Sequence, residues 1–276
     1  MKKRVLIILF TFLIGIVFTQ AQENSTQLTF ITNESFIVND SHIKILIDYD
    51  FRSILNNEKY KNIQPPFDNI DIISISHIHD DHFNKDLTAN YLNKNNSCNV
   101  FMPTEVFESF KSKIENESVN GRITVLNQKN YECEDNVISD NSYKHIKVPH
   151  AAGFSDMQNL IFIFKSGNIK FLHSGDYWGD NINSIRCNLL SEKIDVAMIH
   201  VEFLTKQDLY SGIEMIKKYI NPEFIILMHI PQGSARMTEA LNAKNELKEK
   251  FPNIHVFVDE MQTIKIKKVD NMIEME

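Results

Sequence analysis

Residues 71 to 83 read D-I-I-S-I-S-H-I-H-D-D-H-F, and this segment constrains the chain more than any other. Ile72, Ile73 and Ile75 form an apolar run of the kind that makes a buried strand. Four potential metal ligands, His77, His79, Asp81 and His82, follow it within six residues. In an extended segment, residues two apart point to the same side, so His77 and His79 can share one target. Asp81 and His82 are expected to open a helix and to face the same cavity from a second angle, where a second ion could sit. Neutral imidazoles suit zinc, iron and similar cations, and a carboxylate compensates their charge. The plain alternative is a histidine-rich polar loop.

Three later residues occupy similar positions. His150 follows His145-Ile-Lys-Val-Pro, Asp176 follows Ile169-Lys-Phe-Leu-His-Ser-Gly, and His229 follows Phe224-Ile-Ile-Leu-Met. Each run reads as a strand, and in α/β sheets sites assemble outside the carboxyl ends of strands, where ligands remote in sequence can converge. Singly, a histidine at a strand end is an ordinary hydrogen-bonded residue and a Gly-Asp pair an ordinary turn. The joint pattern carries the weight.

The H-x-H-x-D-H cluster with later single ligands resembles the metallo-β-lactamase-fold hydrolases over nearly the whole chain beyond its first residues. The resemblance implies an α/β fold, a four-layer αβ/βα sandwich. It also implies that His77, His79 and His150 hold one metal, that Asp81, His82 and His229 hold the other, and that Asp176 bridges them. The implied cofactors are two divalent metal ions, Zn2+ first, with Mn2+ or Fe2+ as alternatives. Leu28 to Asp50, with Asn33-Glu34-Ser35-Phe36-Ile37-Val38 and Ile45-Leu-Ile-Asp48, resembles the opening hairpin of the branch that holds L-ascorbate-6-phosphate lactonase and phospholipase-D-like enzymes. There Asp48 would support a ligand from behind. Ile194 to His200 and Asn221 to His229 resemble late strands of that branch, more loosely.

Departures from other branches narrow the reading. Flavo-diiron oxygen reductases usually carry Glu where this chain has His79, which disfavours redox di-iron chemistry. Around His150 the chain reads V-P-H-A-A-G-F, unlike the G-H-T-x-G of thiolesterases and many β-lactamases. Broad-spectrum zinc β-lactamases place Cys in the second metal site, whereas the matching position here is Asp176 or Asp81. Nucleases of the superfamily carry long insertions for RNA that this chain lacks.

The N-terminus has Lys2, Lys3 and Arg4, then an apolar stretch from Val5 to Phe18, then Thr19-Gln20-Ala21. This is the pattern of a signal peptide over residues 1–21 cleaved after Ala21. A membrane span needs about 20 apolar residues, so an uncleaved anchor is the second choice. The expected product is a periplasmic or secreted protein whose residues 22–276 form a single metallo-hydrolase domain, in contact with the membrane only transiently through the signal peptide. Losing the three basic residues takes the formal net charge from −7 to −10. Such a surface repels polyanions, and the densest basic stretch, Lys244 to Lys250, alternates with Glu246 and Glu249, so no nucleic-acid partner is expected. Three cysteines cannot all pair. Either Cys98 and Cys133 bridge with Cys187 free, or all three are buried thiols.

Strands are expected at 28–32, 35–39, 43–48, 71–76, 99–102, 122–126, 145–149, 159–164, 169–173, 195–200, 224–228, 254–258 and 262–267. Helices fall between them. Leu209, Ile213, Ile216 and Ile220 recur at helical spacing before Pro222, and Met237, Ala240, Leu241 and Leu247 form a second stripe. In function, two cations about 3.5 to 4 Å apart would hold a hydroxide between them that attacks an ester, lactone or phosphodiester. Asp81 would orient that hydroxide or take its proton, and His200 or His173 could donate one, with structural roles equally open to both. Tyr177 and Trp178 could line the pocket or pack in the core. The expected substrate is a small or lipid-like molecule. The alternative is a non-catalytic metal- or ligand-binding protein on the same fold.

Overall fold

A computed structural model describes residues 25–49, 63–114, 117–138, 141–150, 156–205 and 208–276. The signal-peptide expectation over residues 1–21 lies outside them, as does the A-A-G-F stretch after His150. Alternating apolar residues build two sheets. One has eight strands in the order β15-β14-β1-β2-β3-β4-β5-β6 and the other seven in the order β13-β12-β11-β10-β9-β8-β7. In the first, β1 (Ser25–Thr32), β2 (Ser35–Asn39) and β3 (Lys44–Ile47) run antiparallel; β4 (Ile72–Ser74), β5 (Asn99–Pro103) and β6 (Ile123–Leu126) then continue parallel to β3. In the second, β7 (Cys133–Ile138), β8 (Asn141–Pro149), β9 (Gln158–Ser166) and β10 (Ile169–His173) are antiparallel; β11 (Val196–His200), β12 (Phe224–Met228) and β13 (Ile254–Val256) add in parallel. The carboxyl-terminal pair β14 (Thr263–Val269) and β15 (Met272–Met275) returns to the first sheet beside β1.

The strand period of two separates three hydrophobic layers. Phe36, Val38, Ile45 and Ile47 meet Phe162, Phe171, Met198, Ile226 and Met228 between the sheets. Alternate residues Ile37, Leu46, Ile73, Ile75 and Val100 face outward onto α1 (Lys85–Lys94) and α2 (Thr104–Phe110). On the other flank, Leu172, Ala197, Ile199, Ile225 and Leu227 pack on α3 (Leu209–Tyr219) and α4 (Ala235–Leu247). Three apolar interlayers make four layers, the expected αβ/βα sandwich. The predicted stripes account for the last contact: Ile213, Ile216, Ala240 and Leu247 are buried, with Leu209, Met237 and Leu241 partly so.

Several expectations need correction. Asp81 and His82 lie in a turn, not a helix; α1 begins at Lys85, capped by the Asn84 carboxamide, which accepts from the Asp86 and Leu87 amides. Cys133 bonds to Cys187, and Cys98 is a buried free thiol, so neither cysteine expectation holds. Cys98 sits inside the α1–β5 layer, out of reach of a bridge. Strands β7 and β15 had no counterpart among the expected elements.

Candidate metal centre

The strand ends deliver the polar residues to one rim. The first sheet contributes Glu34 from the β1–β2 turn, Asp48 after β3, and His77, His79, Asp81 and His82 after β4. The second contributes His150 after β8, Asp176 after β10, His200 at the end of β11 and His229 after β12. Backbone bonds across the rim fix the two halves together: the His229 amide donates to the Asn33 carbonyl at 2.9 Å, and the Leu160 amide to the Ser76 carbonyl at 3.0 Å. Asn33, Asp48 and His229 all take positive φ, a conformation non-glycine residues hold only where surroundings impose it.

Asp176 is the hub. Its Oδ2 lies 3.1 Å from His150 Nε2 and 3.6 Å from His77 Nε2. Its Oδ1 lies 3.2 Å from His82 Nε2 and 3.5 Å from His229 Nε2. His77 Nε2 and His79 Nδ1 are 3.0 Å apart, and His229 Nε2 is 3.7 Å from Asp81 Oδ2. A tetrahedral ion with arms of about 2.1 Å has donor-to-donor edges of about 3.4 Å. The donor atoms therefore stand at the edge lengths of two such sites sharing one carboxylate. One set is His77, His79, His150 and Asp176; the other is Glu34, Asp81, His82 and His229, with Asp176 adjacent. His82 Nε2 and Asp176 Oδ1 are buried and face each other at 3.2 Å, with no other hydrogen-bond partner for either among the described residues. Buried polar atoms are normally well partnered, and two so sparsely partnered and aimed at one point fit the donor set of a cation.

Groups behind the donors set their protonation. Asp48, fully buried, accepts from the Ser76 amide at 2.6 Å, from Ser76 Oγ at 2.7 Å and from His82 Nδ1 at 2.8 Å. Because Ser76 Oγ donates to Asp48, it accepts from His77 Nδ1 at 3.0 Å. Both imidazoles thus hold a proton on Nδ1 and turn Nε2 to the centre, where His77 offers a lone pair and the cationic His82 a second proton that a metal would displace. Burial pushes His77 well below the usual histidine range, and the positive charge of His82 adds to this. Burial acts on His82 too, but the carboxylates of Glu34, Asp176 and Asp48 outweigh it and hold this ring well above that range. Burial lowers His229 to about 4. Against the cost of burial, His82 and His77 hold Asp176 ionised, well below the ordinary carboxylate range.

The turn that carries Asp176 is built for it. Gly175 has φ +53, and a Cβ there would stand 2.3 Å from Asn159 Oδ1 and 2.9 Å from Ser76 Cβ. That same Asn159 oxygen accepts the Asp176 amide at 3.0 Å while its Nδ2 donates to the Ser174 carbonyl.

The structure brings all seven expected ligands to this rim, and His200 with them: Asp176, His200 and His229 form a third close group. His173 stands apart as a scaffold residue, donating from Nε2 to the Glu34 carbonyl at 2.9 Å and accepting the Gly175 amide at Nδ1. Tyr177 is core, its hydroxyl donating to the Asp180 carbonyl; Trp178 reaches the site, its indole nitrogen 3.3 Å from His200 Nε2. Sequence reasoning missed Glu34, a fully buried carboxylate 3.4 Å from His82 Nε2, and Arg236, whose guanidinium contacts His229 Nδ1. An acidic residue heading an apolar run, E-S-F-I-V, is the signal for the first. Nothing in the helix sequence marks the second.

Comparisons with known proteins agree with this architecture. The metallo-beta-lactamase fold protein YhfI from Bacillus subtilis is similar over 88% of this chain and all of its own, at 12% identity and TM-score 0.57. Igni18, a metallo hydrolase from the archaeon Ignicoccus hospitalis, is similar over 87% of this chain and 98% of its own, at 14% identity and TM-score 0.54. CmlA, a diiron beta-hydroxylase from Streptomyces venezuelae, is similar over 87% of this chain and 54% of its own, at 10% identity and TM-score 0.54. At these identities the likeness is one of fold, and the fold accommodates more than one chemistry. No curated protein matches the chain in sequence. The family model of the beta-lactamase superfamily domain matches residues 27–229, a span that runs from β1 to the last histidine of the centre, and the chain belongs to that superfamily.

Proposed function

We propose that the protein is a metal-dependent hydrolase that uses two divalent cations to cleave an ester, lactone or phosphodiester, and that it works outside the cytoplasm. The observation that carries this reading is the division of Asp176, whose two oxygens face two separate donor sets at tetrahedral edge lengths. His77, His79 and His150 would hold one ion, and Asp81, His82 and His229 the other, with Glu34 beside them. Zn2+ suits the imidazole-rich first set, and Mn2+ or Fe2+ the carboxylate-rich second. Bound together, such ions supply Lewis acidity and activate water near neutral pH.

The chain's own residues supply the rest. Asp81, 3.7 Å from His229 Nε2 and partly exposed, can accept a proton from the attacking water. His200 meets a donor at each ring nitrogen, the Glu202 amide at Nδ1 3.1 Å away and the Trp178 indole N–H at Nε2 3.3 Å away, with Asp176 Oδ1 3.9 Å from Nε2. These contacts fix the ring beside Asp176 and His229, where it can position a bound group. The early hairpin and late strands resemble the lactonase and phospholipase-D-like branch, which favours a lactone or a lipid-like phosphodiester. The signal-like N-terminus supports export, and the Cys133–Cys187 bond suits an oxidising compartment.

Elemental analysis of protein purified without added metal or chelator, beside turnover of chromogenic esters, lactones and phosphodiesters, tests the reading. Near two equivalents of metal with chelator-sensitive turnover is expected, with Asp176→Ala losing both metal and activity. Below half an equivalent, unrecovered by added metal and with no turnover, points to the non-catalytic binding protein. Oxygen consumption without hydrolysis points to redox chemistry instead.

A further inference from the structure

Helix α4 sets a basic side chain against the metal centre. Arg236 stands in its first turn, where side chains lean back toward the helix start, and it reaches His229 seven positions earlier. One terminal nitrogen contacts His229 Nδ1 and the other meets Glu202 Oε1. The opposite nitrogen of His229 faces Asp81 and Asp176. The width of one imidazole ring therefore separates the guanidinium from the cation position. Its side chain keeps 32% exposure, so part of it meets solvent. Three residues earlier, Gly233 has nothing within 4 Å of the position a Cβ would take, so the chain leading into the helix is open there. Glu202 takes one donor of the guanidinium and is itself tied to the site through its amide on His200, which leaves the remaining guanidinium N–H groups for a ligand. A guanidinium offers planar paired donors that match two oxygens of a carboxylate or phosphoryl group, which a lone ammonium cannot do.

We infer that Arg236 selects the substrate by binding an anionic oxygen pair, on a carboxylate or phosphoryl group, carried next to the scissile bond. This rests on the hydrolase reading and deepens it, favouring an anionic substrate over a neutral ester or lactone. Arg236 also lies beyond residues 27–229, outside the span that the family model matches.

The test uses the full chain loaded with zinc and three probes: neutral 4-nitrophenyl acetate, the carboxylate-bearing mono-4-nitrophenyl succinate, and anionic bis(4-nitrophenyl) phosphate. Rates are normalised to bound metal by elemental analysis of each variant. Arg236→Ala should lower kcat/KM for at least one anionic probe relative to the neutral one by about tenfold, through KM, with Arg236→Lys recovering part of it. The probe that loses most names the anion. A change in that ratio of less than about threefold for both anionic probes overturns the inference. Should the wild type turn over no probe, the hydrolase reading fails by itself, and calorimetry with inorganic phosphate decides Arg236. Clearly weaker binding by Arg236→Ala supports its role; equal binding, or none by either protein, overturns it.

Discussion

Asp176 can serve two donor sets only because the two residues behind it allow no other position. Gly175 occupies left-handed backbone space against Asn159, and an added Cβ would collide with the oxygen that holds the Asp176 amide. Gly175→Ala should therefore cost about 1–2 kcal/mol from the backbone conformation alone and displace the carboxylate. Metal content measured on the purified variant is expected to fall by more than half while the far-ultraviolet dichroism stays native. Full metal content would mean that the turn does not position Asp176. His145 is a different case, a buried ring between Phe101 and Phe162 with no hydrogen bond to either nitrogen among the described residues. Burial lowers it to about 3. Above pH 6.5 it is neutral whether folded or unfolded and stability is unaffected; as pH falls below 6.5 the unfolded chain takes up a proton that the folded one refuses, and stability declines. His145→Leu should remove up to about 1.4 kcal/mol of that decline per pH unit between roughly 6.5 and 4, read from denaturant midpoints. A variant whose decline matches the wild type would show that the ring is not the source. Much at this scale was legible: the H-x-H-x-D-H run marked four of the residues that meet at the rim. Glu34 was passed over because a single carboxylate before an apolar run is a weak signal, and Arg236 because it acts through His229, a neighbour that only the folded rim supplies.

Elements were legible where burial shaped their composition. β4, β11 and β12 carry unbroken apolar runs, since the other sheet covers one face and helices the other, while lysines interrupt β8 and β10, and each was placed within a few residues. Strand β7, C-E-D-N-V-I, was missed because it is an edge strand with few buried residues, and sequences of that kind read as loop. β15 is an edge of the other sheet and failed for the same reason. The missed β7 also hid the disulfide, because the pairing of three cysteines cannot be deduced from spacing. The bond joins this edge to the loop that follows Asp176, closing 54 residues of chain. Removing it with Cys133→Ser and Cys187→Ser should cost about 2–4 kcal/mol. A thermal midpoint about 5–15 °C lower is expected, with reductant lowering the wild type toward the variant. An unchanged midpoint in both would mean that β7 is held by its ladder with β8 alone.

Across the whole molecule the centre draws its donors from both sheets: Glu34, His77, His79, Asp81 and His82 from one, and His150, Asp176, His200 and His229 from the other. Four-layer packing was legible through the family resemblance, with an order of strands and helices that accommodates it, but not which rim would close, because this depends on register across the interlayer. Without a cation the rim holds several carboxylates close together in a buried space, and the charge on His82 offsets them only in part. Binding to the folded state alone stabilises by about 4 kcal/mol per site when free ion is a thousandfold above its dissociation constant. For a chain of this size, each such site corresponds to a midpoint about 8–16 °C higher. Chelation should lower the thermal midpoint accordingly, and zinc should restore it. Because the ions would tie one sheet to the other, His229→Ala should shrink the chelator-induced shift by about half, leaving the site of His77, His79 and His150 to supply the remainder. Mass action adds that protons compete first at His82, whose ring the carboxylates hold above the usual histidine range, so the shift should shrink as pH falls, with the His229 contribution persisting until pH approaches about 4. A midpoint indifferent to chelator at pH 7.5 would show that the two sheets hold this rim closed unaided, and that the donors converge without binding.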